Sequence, residues 1–166
     1  MKQIKIKSYA KLNLALNIIG KTSLHKIESI VTFAALHDVI FIRKIRSNSH
    51  SILFYGKFSQ NITKDNTISK LIKILEEKKL LKNIKFKIKI NKKIPSKAGL
   101  GGGSMNAASV LNYFVKKKII KISKKELSKI SKQIGSDVIL GLKFNNSILS
   151  TNNKIKYFVN CKKFYT

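Results

Sequence analysis

The sequence predicts an α+β domain, a sheet backed by about three helices, and three observations carry that reading. Several segments alternate apolar and polar residues with period two. Three others show helical spacing of apolar residues or a helix cap. Between one of those strands and one of those helices lies a run with four glycines in five positions, Gly99 to Gly103.

Taken in order, residues 2–7 and 11–18 alternate and read as paired strands joined through Ser8–Ala10. Residues 28–36 and 39–45 read as two more, separated by a turn at His37-Asp38. A short strand over 52–55 follows the polar segment Ser47–Ser51. Asn66 has the side chain of a helix cap, and Ile68, Leu71, Ile72, Ile74 and Leu75 follow at close to 3.6-residue spacing. In 83–91 the apolar Ile84, Phe86, Ile88 and Ile90 alternate with Lys85, Lys87 and Lys89, the pattern of a half-buried strand. A loop over 92–103 leads to Ser104, which opens a helix to about Lys117. Ser123-x-x-Glu126 is a capping-box pattern for a last helix that stops near Gly135. The tail, 145–166, is rich in Asn and Lys and has no evident partner element, so residues 1–145 are expected to form the domain and 146–166 a short tail.

Composition excludes several classes of function. With 166 residues, 43% hydrophobic and 25% charged, the chain suits one folded domain. Its 35 Lys+Arg against 7 Asp+Glu give a net charge of +28, yet only Arg43 and Arg46 are arginine. Lys, Ile and Asn all have AT-rich codons, so the basicity reads as a genomic bias more than a nucleic-acid face. The lysine row of 83–91 lacks the arginines and interleaved aromatics of such a face and reads as solvated sheet. Cys161 stands alone, which excludes an internal disulfide and a cysteine-based zinc site, and His25, His37 and His50 lack metal-ligand spacing, so no metal held by protein side chains is expected. No apolar run approaches the roughly 20 residues of a membrane span, and the N-terminus reads as a strand and not as a signal peptide. A cytoplasmic protein is expected.

The glycine loop is the most informative segment. Glycines let the backbone turn tightly and approach a ligand without a Cβ in the way. Ser104 and the first free amides of the following helix would offer donors and the positive end of the helix dipole to an anion, with phosphate the natural guest. A Walker loop is excluded, because no Lys-Ser/Thr follows the last glycine, and G-x-G-x-x-G fails at Ser104. A flexible connector is the alternative that the pattern leaves open.

The whole segment, Pro95-Ser96-Lys97-Ala98-Gly99-Leu100-Gly101-Gly102-Gly103-Ser104-Met105-Asn106-Ala107-Ala108, resembles the second motif of the GHMP small-molecule kinases. Ala10-Lys11-Leu12-Asn13-Leu14 resembles that family's N-terminal strand, and Gly135-Ser136-Asp137-Val138 resembles its G-[AS]-D-V segment. The three motifs occur in the family's order, and the likeness runs from about residue 4 to 145; the resemblance implies a second, C-terminal domain, of which 146–166 would be a short remnant. The resemblance implies the fold of a GHMP kinase N-terminal domain (ribosomal protein S5 domain 2-like), with a mainly antiparallel sheet. It implies an ATP-dependent kinase using Mg2+. The triple glycine resembles the branch whose small-molecule acceptor is the 2-hydroxyl of a cytidine diphosphate-linked methylerythritol, in non-mevalonate isoprenoid synthesis.

By the same resemblance Lys11 and Asp137 are the catalytic pair, Pro95 to Met105 wrap the ATP phosphates, His25 reads the cytosine edge and Asn13 contacts substrate. The sequence departs from the family where an aromatic would stack on the base: Leu24 stands beside His25, and Val31 occupies the second such position. Lys11 taken alone would be one surface charge among 33 lysines, and Asp137 an ordinary cap. Two other readings stay open at this point, a remnant that binds nucleotide without turnover and a basic nucleic-acid-binding module. A homodimer that shields the cleft is the protein partner expected; a membrane is not.

Overall fold

The computed structural model describes residues 2–19, 26–150 and 155–158. In chain order the elements are β1 (Ile4–Ile19), β2 (Lys26–Ile45), β3 (Ser51–Tyr55), α1 (Thr67–Glu77), β4 (Lys85–Asn91), α2 (Gly102–Lys116), α3 (Lys124–Ile134), a 3-10 turn (Leu140–Leu142), β5 (Ser147–Leu149) and β6 (Ile155–Tyr157). They make an α+β domain with one six-stranded sheet. Strand β2 is its spine. Antiparallel β1 lies along one edge of it, while the other edge takes β4 over Val39–Ile45 and β5 over Ser29–Val31. The pairing of β3 with β4 is parallel, the rest antiparallel.

The alternation of β4 does what it predicts. Phe86, Ile88 and Ile90 are buried while the intervening lysines are half-buried. With Ile40 and Ile42 of β2 they meet Ile68, Leu71 and Leu75 of α1 and Val110, Leu111 and Phe114 of α2 in one core. Each such side chain contributes roughly 1.5–3 kcal/mol by leaving water. Helix α1 has a full capping box: Asn66 accepts from the N–H groups of Ile68 and Ser69, and the Ser69 hydroxyl accepts from the Asn66 N–H. In α3 only half of the expected box forms. Ser123 accepts from the Glu126 N–H, but the Glu126 carboxylate reaches Lys78 at 2.7 Å.

Four expectations need correction. Segments 2–7 and 11–18 are one strand with register shifts after Tyr9 and Asn13, so they pair with β2 and not with each other. Likewise 28–36 and 39–45 are one strand: His37 and Asp38 pair with Tyr9 and Ser8 and make no turn. The polar residues that suggest a break are accommodated because Asp38 finds buried partners across the fold. Helix α2 starts at Gly102, two residues before Ser104. The tail does find a partner, since β5 adds to β2 and β6 to β5.

His50, at the turn before β3, shows how the helical layer is tied to the sheet. Its Nδ1 accepts from the Phe86 N–H at 3.2 Å, so Nε2 carries the proton and donates to Glu76 Oε1 at 3.1 Å. Burial holds the His50 pKa below 6.5; the Glu76 carboxylate opposes that shift and Lys85 adds to it. Because the folded state resists the proton, the unfolded chain takes it up first as pH falls. The His50 contribution is therefore complete above about pH 6.5 and is lost as pH drops below it. Urea unfolding at pH 7.5 and 5.5 should show a lower midpoint at 5.5, with the drop reduced in His50→Gln.

Candidate active site

Helix α2 begins without a side-chain cap. Its N-cap is Gly101, at φ 62°, and no acidic residue occupies the first turn. The first-turn amides thus keep their capacity for an external acceptor, and the dipole favours an anion there. Gly101 is required twice over: the left-handed backbone disfavours a side chain, and a Cβ would lie 3.3 Å from Lys11 Cβ and 3.4 Å from Lys11 Cε. The strand and the loop touch directly here, for the Lys11 N–H donates to the Leu100 carbonyl at 2.9 Å. From the other side the Thr67 hydroxyl, in the first turn of α1, donates to the Gly103 carbonyl at 2.7 Å. Two helix N-termini therefore converge on the loop.

Asp137 is delivered by the end of α3. The Gly135 N–H bonds back to Ser131, the Val138 N–H closes a turn onto Gly135, and the 3-10 turn follows. That turn can press on α2 because Gly141 has no Cβ; one would sit 2.7 Å from Ala108 Cβ and 2.8 Å from Met105 Sδ. The consequence is a salt bridge of 2.9 Å between Lys11 Nζ and Asp137 Oδ2. Lys11 is 7% exposed and Asp137 33%, so the carboxylate remains open to a ligand while its cation does not. A Cβ on Gly135 would be 3.7 Å from Ser104 Oγ, which places that hydroxyl beside the aspartate turn.

The loop walls a cavity of about 420 Å³, a size suited to a small-molecule ligand. Every residue from Pro95 to Ser104 lines it. Met105 does not: its side chain is fully buried and its N–H bonds to the Gly101 carbonyl inside the helix. Asn13 is exposed on β1, two residues beyond Lys11. His25 and Leu24 lie outside the described residues, as does Cys161. Val31 is fully buried between Asn13 and Ser147 and presents no face to a base. Sequence reasoning did not find Phe54, Ile62, Thr67 and Lys92, which also line the cavity. The helix cap at Asn66 was the one signal that α1 begins beside the loop. Chemically, the arrangement offers an anion cradle next to a carboxylate held beside a buried ammonium.

Residues 66–143 match the family model described as the GHMP kinases N terminal domain. Over those residues the chain is similar to a GHMP kinase N-terminal domain. The match spans α1 through the aspartate turn, and the fold over most of the chain is also shared with solved structures. A crystal structure of 4-(cytidine 5'-diphospho)-2C-methyl-D-erythritol kinase superposes with a TM-score of 0.74 at 22% identity, covering 93% of this chain and 55% of that one. Among sequence relatives, 4-diphosphocytidyl-2-C-methyl-D-erythritol kinase of Pelagibacter ubique is 60% identical over 99% of this chain. The enzyme of the same name from Petrotoga mobilis is 38% identical over 93%. The chain spans 59% of the length of each of these two curated relatives. Among the described residues no helix is long and apolar enough to cross a membrane, and no group of three or more His, Cys, Asp or Glu side chains could hold a metal.

The glycines of the loop separate by cause. A Cβ at Gly101 is strained and crowded, whereas at Gly103 the nearest atom would be Thr67 Oγ1 at an ordinary 3.4 Å. Gly101→Ala should cost about 1–2 kcal/mol. Gly103→Ala should be neutral or stabilising by up to about 1 kcal/mol, since alanine is the better helix former. Thermal melting of the two variants checks the contrast.

Proposed function

We propose that this chain supplies the ATP-binding and catalytic residues of a cytoplasmic kinase that phosphorylates the 2-hydroxyl of 4-diphosphocytidyl-2-C-methyl-D-erythritol in isoprenoid precursor synthesis. The observation that carries the reading is the Lys11–Asp137 pair, held beside the uncapped start of α2. Support for the substrate comes from the relatives that bear this name. Residues 1–145 are the ATP-binding domain in this reading, their sheet extended by β5 and β6.

The phosphates of ATP lie in the cradle of Pro95 to Ser104, where backbone N–H groups and the helix dipole meet their charge. The apolar Phe54 and Ile62 line the same cavity and offer a surface for a nucleoside. When bound with the nucleotide, Mg2+ would supply charge neutralisation on the phosphates. Ser104 Oγ and the open Asp137 carboxylate are hard oxygen donors of the kind that fit it.

The Asp137 carboxylate receives the proton of the acceptor hydroxyl as the acceptor oxygen bonds to the γ-phosphorus. The bond from that phosphorus to its bridging oxygen breaks, and ADP leaves. The Lys11 ammonium, 2.9 Å from Asp137 Oδ2, holds that carboxylate in place and stabilises charge on the transferred group during the step. Asn13, exposed beyond Lys11 on the same strand, and His25 are the residues assigned to substrate, with His25 at the cytosine edge.

A coupled assay with Mg-ATP and the acceptor, run beside Asp137→Ala, tests this. Loss of the general base should lower turnover about 10²–10⁴-fold with melting unchanged within a few degrees. Equal turnover in both proteins, or none from the folded wild-type chain at saturating ATP, would sink the reading.

A further inference from the structure

Asp38 is fully buried in β2, remote in sequence from the glycine loop, and its carboxylate is saturated by partners from that loop's two flanks. Oδ1 accepts the N–H of Lys93 at 2.7 Å and of Ile94 at 2.8 Å, where the chain leaves β4 for the loop. Oδ2 accepts from the Asn106 side-chain amide at 3.0 Å, on the first turns of α2, where the chain has just left it. Oδ2 also meets the ammonium of Lys92, a side chain only 5% exposed. One carboxylate thus grips both ends of the loop. Lys92 reaches it by passing under α2, and Gly102 leaves the room: a Cβ there would be 3.2 Å from Lys92 Nζ and 3.1 Å from Ile94 Cγ2.

We propose that Asp38 is a positioning residue for the phosphate cradle, setting the span between residues 93–94 and 106 and so the direction of the α2 amides. Its consequence for nucleotide rests on the kinase reading above; its effect on the loop does not. A purely electrostatic role for the pair would be served by any neutral replacement of both members, because well-packed apolar groups substitute for buried ion pairs with little loss. Positioning demands more, namely an acceptor for two N–H groups and a partner for Asn106. Asparagine at 38 supplies both. Its Oδ1 accepts the amides, and its Nδ2 donates to Asn106 Oδ1, a buried acceptor with no partner in the wild type, once that amide turns over.

Two double variants of the full chain separate the roles, Asp38→Asn/Lys92→Met and Asp38→Leu/Lys92→Met. The first should keep amide hydrogen exchange of residues 93–104 within about threefold of wild type. The second should speed exchange across 93–104 relative to the core of α2, and bind Mg-ATP about a hundredfold more weakly than the first, which lacks Lys92 equally, as misplacement by about an ångström does to aligned groups. Equal exchange and equal affinity in the two variants would overturn the proposal. Should the leucine variant fail to fold, Asn106→Ala decides in its place: faster exchange at 101–104 supports the grip, and wild-type exchange there defeats it. Absence of Mg-ATP binding by the wild type would instead overturn the kinase reading, leaving the exchange comparison to judge Asp38.

Discussion

A charge buried without partners costs several kilocalories per mole, so the Asp38 carboxylate can exist where it does only if everything around it is in place. Its two amides, its side-chain amide and its ammonium come from residues 92 to 106, while the carboxylate itself rides on the spine of the sheet. That requirement couples layers that hydrophobic contact alone would leave free to slide. The apolar core sets how tightly α1 and α2 sit on the sheet; the buried carboxylate sets at which register. Burial of polar groups is specific in this way because a wrong arrangement leaves donors and acceptors unpaired.

Acids are scarce in this chain, and their use is correspondingly telling. Of the seven, Asp38, Glu76, Glu126 and Asp137 are each in an ion pair with lysine. With so many cations present, an exposed pair such as Lys78–Glu126 carries little information and little energy. Exposure tells the pairs apart. Asp38 is sealed and serves architecture, while Asp137 is one-third open beside a lysine that is not. Only the second arrangement leaves a carboxylate oxygen able to meet something arriving from solvent.

Much of this was legible in the residues. The alternation of 83–91, the cap at Asn66 and the glycine run are local signals, each enforced within a few residues, and each produced the element it implied. Local signals misled where distant groups override them. Ser8 and the pair His37-Asp38 have turn chemistry, but cross-strand pairing and the partners of Asp38 carry β1 and β2 straight through. Val31, in a position matched to a base-stacking aromatic, is fully buried in the sheet and pairs with Ser147 of a segment that sequence periodicity left unassigned. A three-residue strand is too short to show a period. The meeting of Lys11 with Asp137 could not be derived from spacing at all; likeness to a family suggested it, and the geometry brings the two to 2.9 Å.

The contact of Lys11 with Leu100 and Asp137 also has a meaning in time. Residue 11 emerges from the ribosome well before its partners: its backbone partner is some ninety residues behind it and its side-chain partner further still. Strand β2 likewise waits for β5. Contacts so far apart along the chain form slowly and late, because closing long loops must precede any gain from them. During synthesis β1 and β2 can zip into a hairpin early, with Lys11 still in water. The nascent chain therefore cannot complete this site until its aspartate turn has been made.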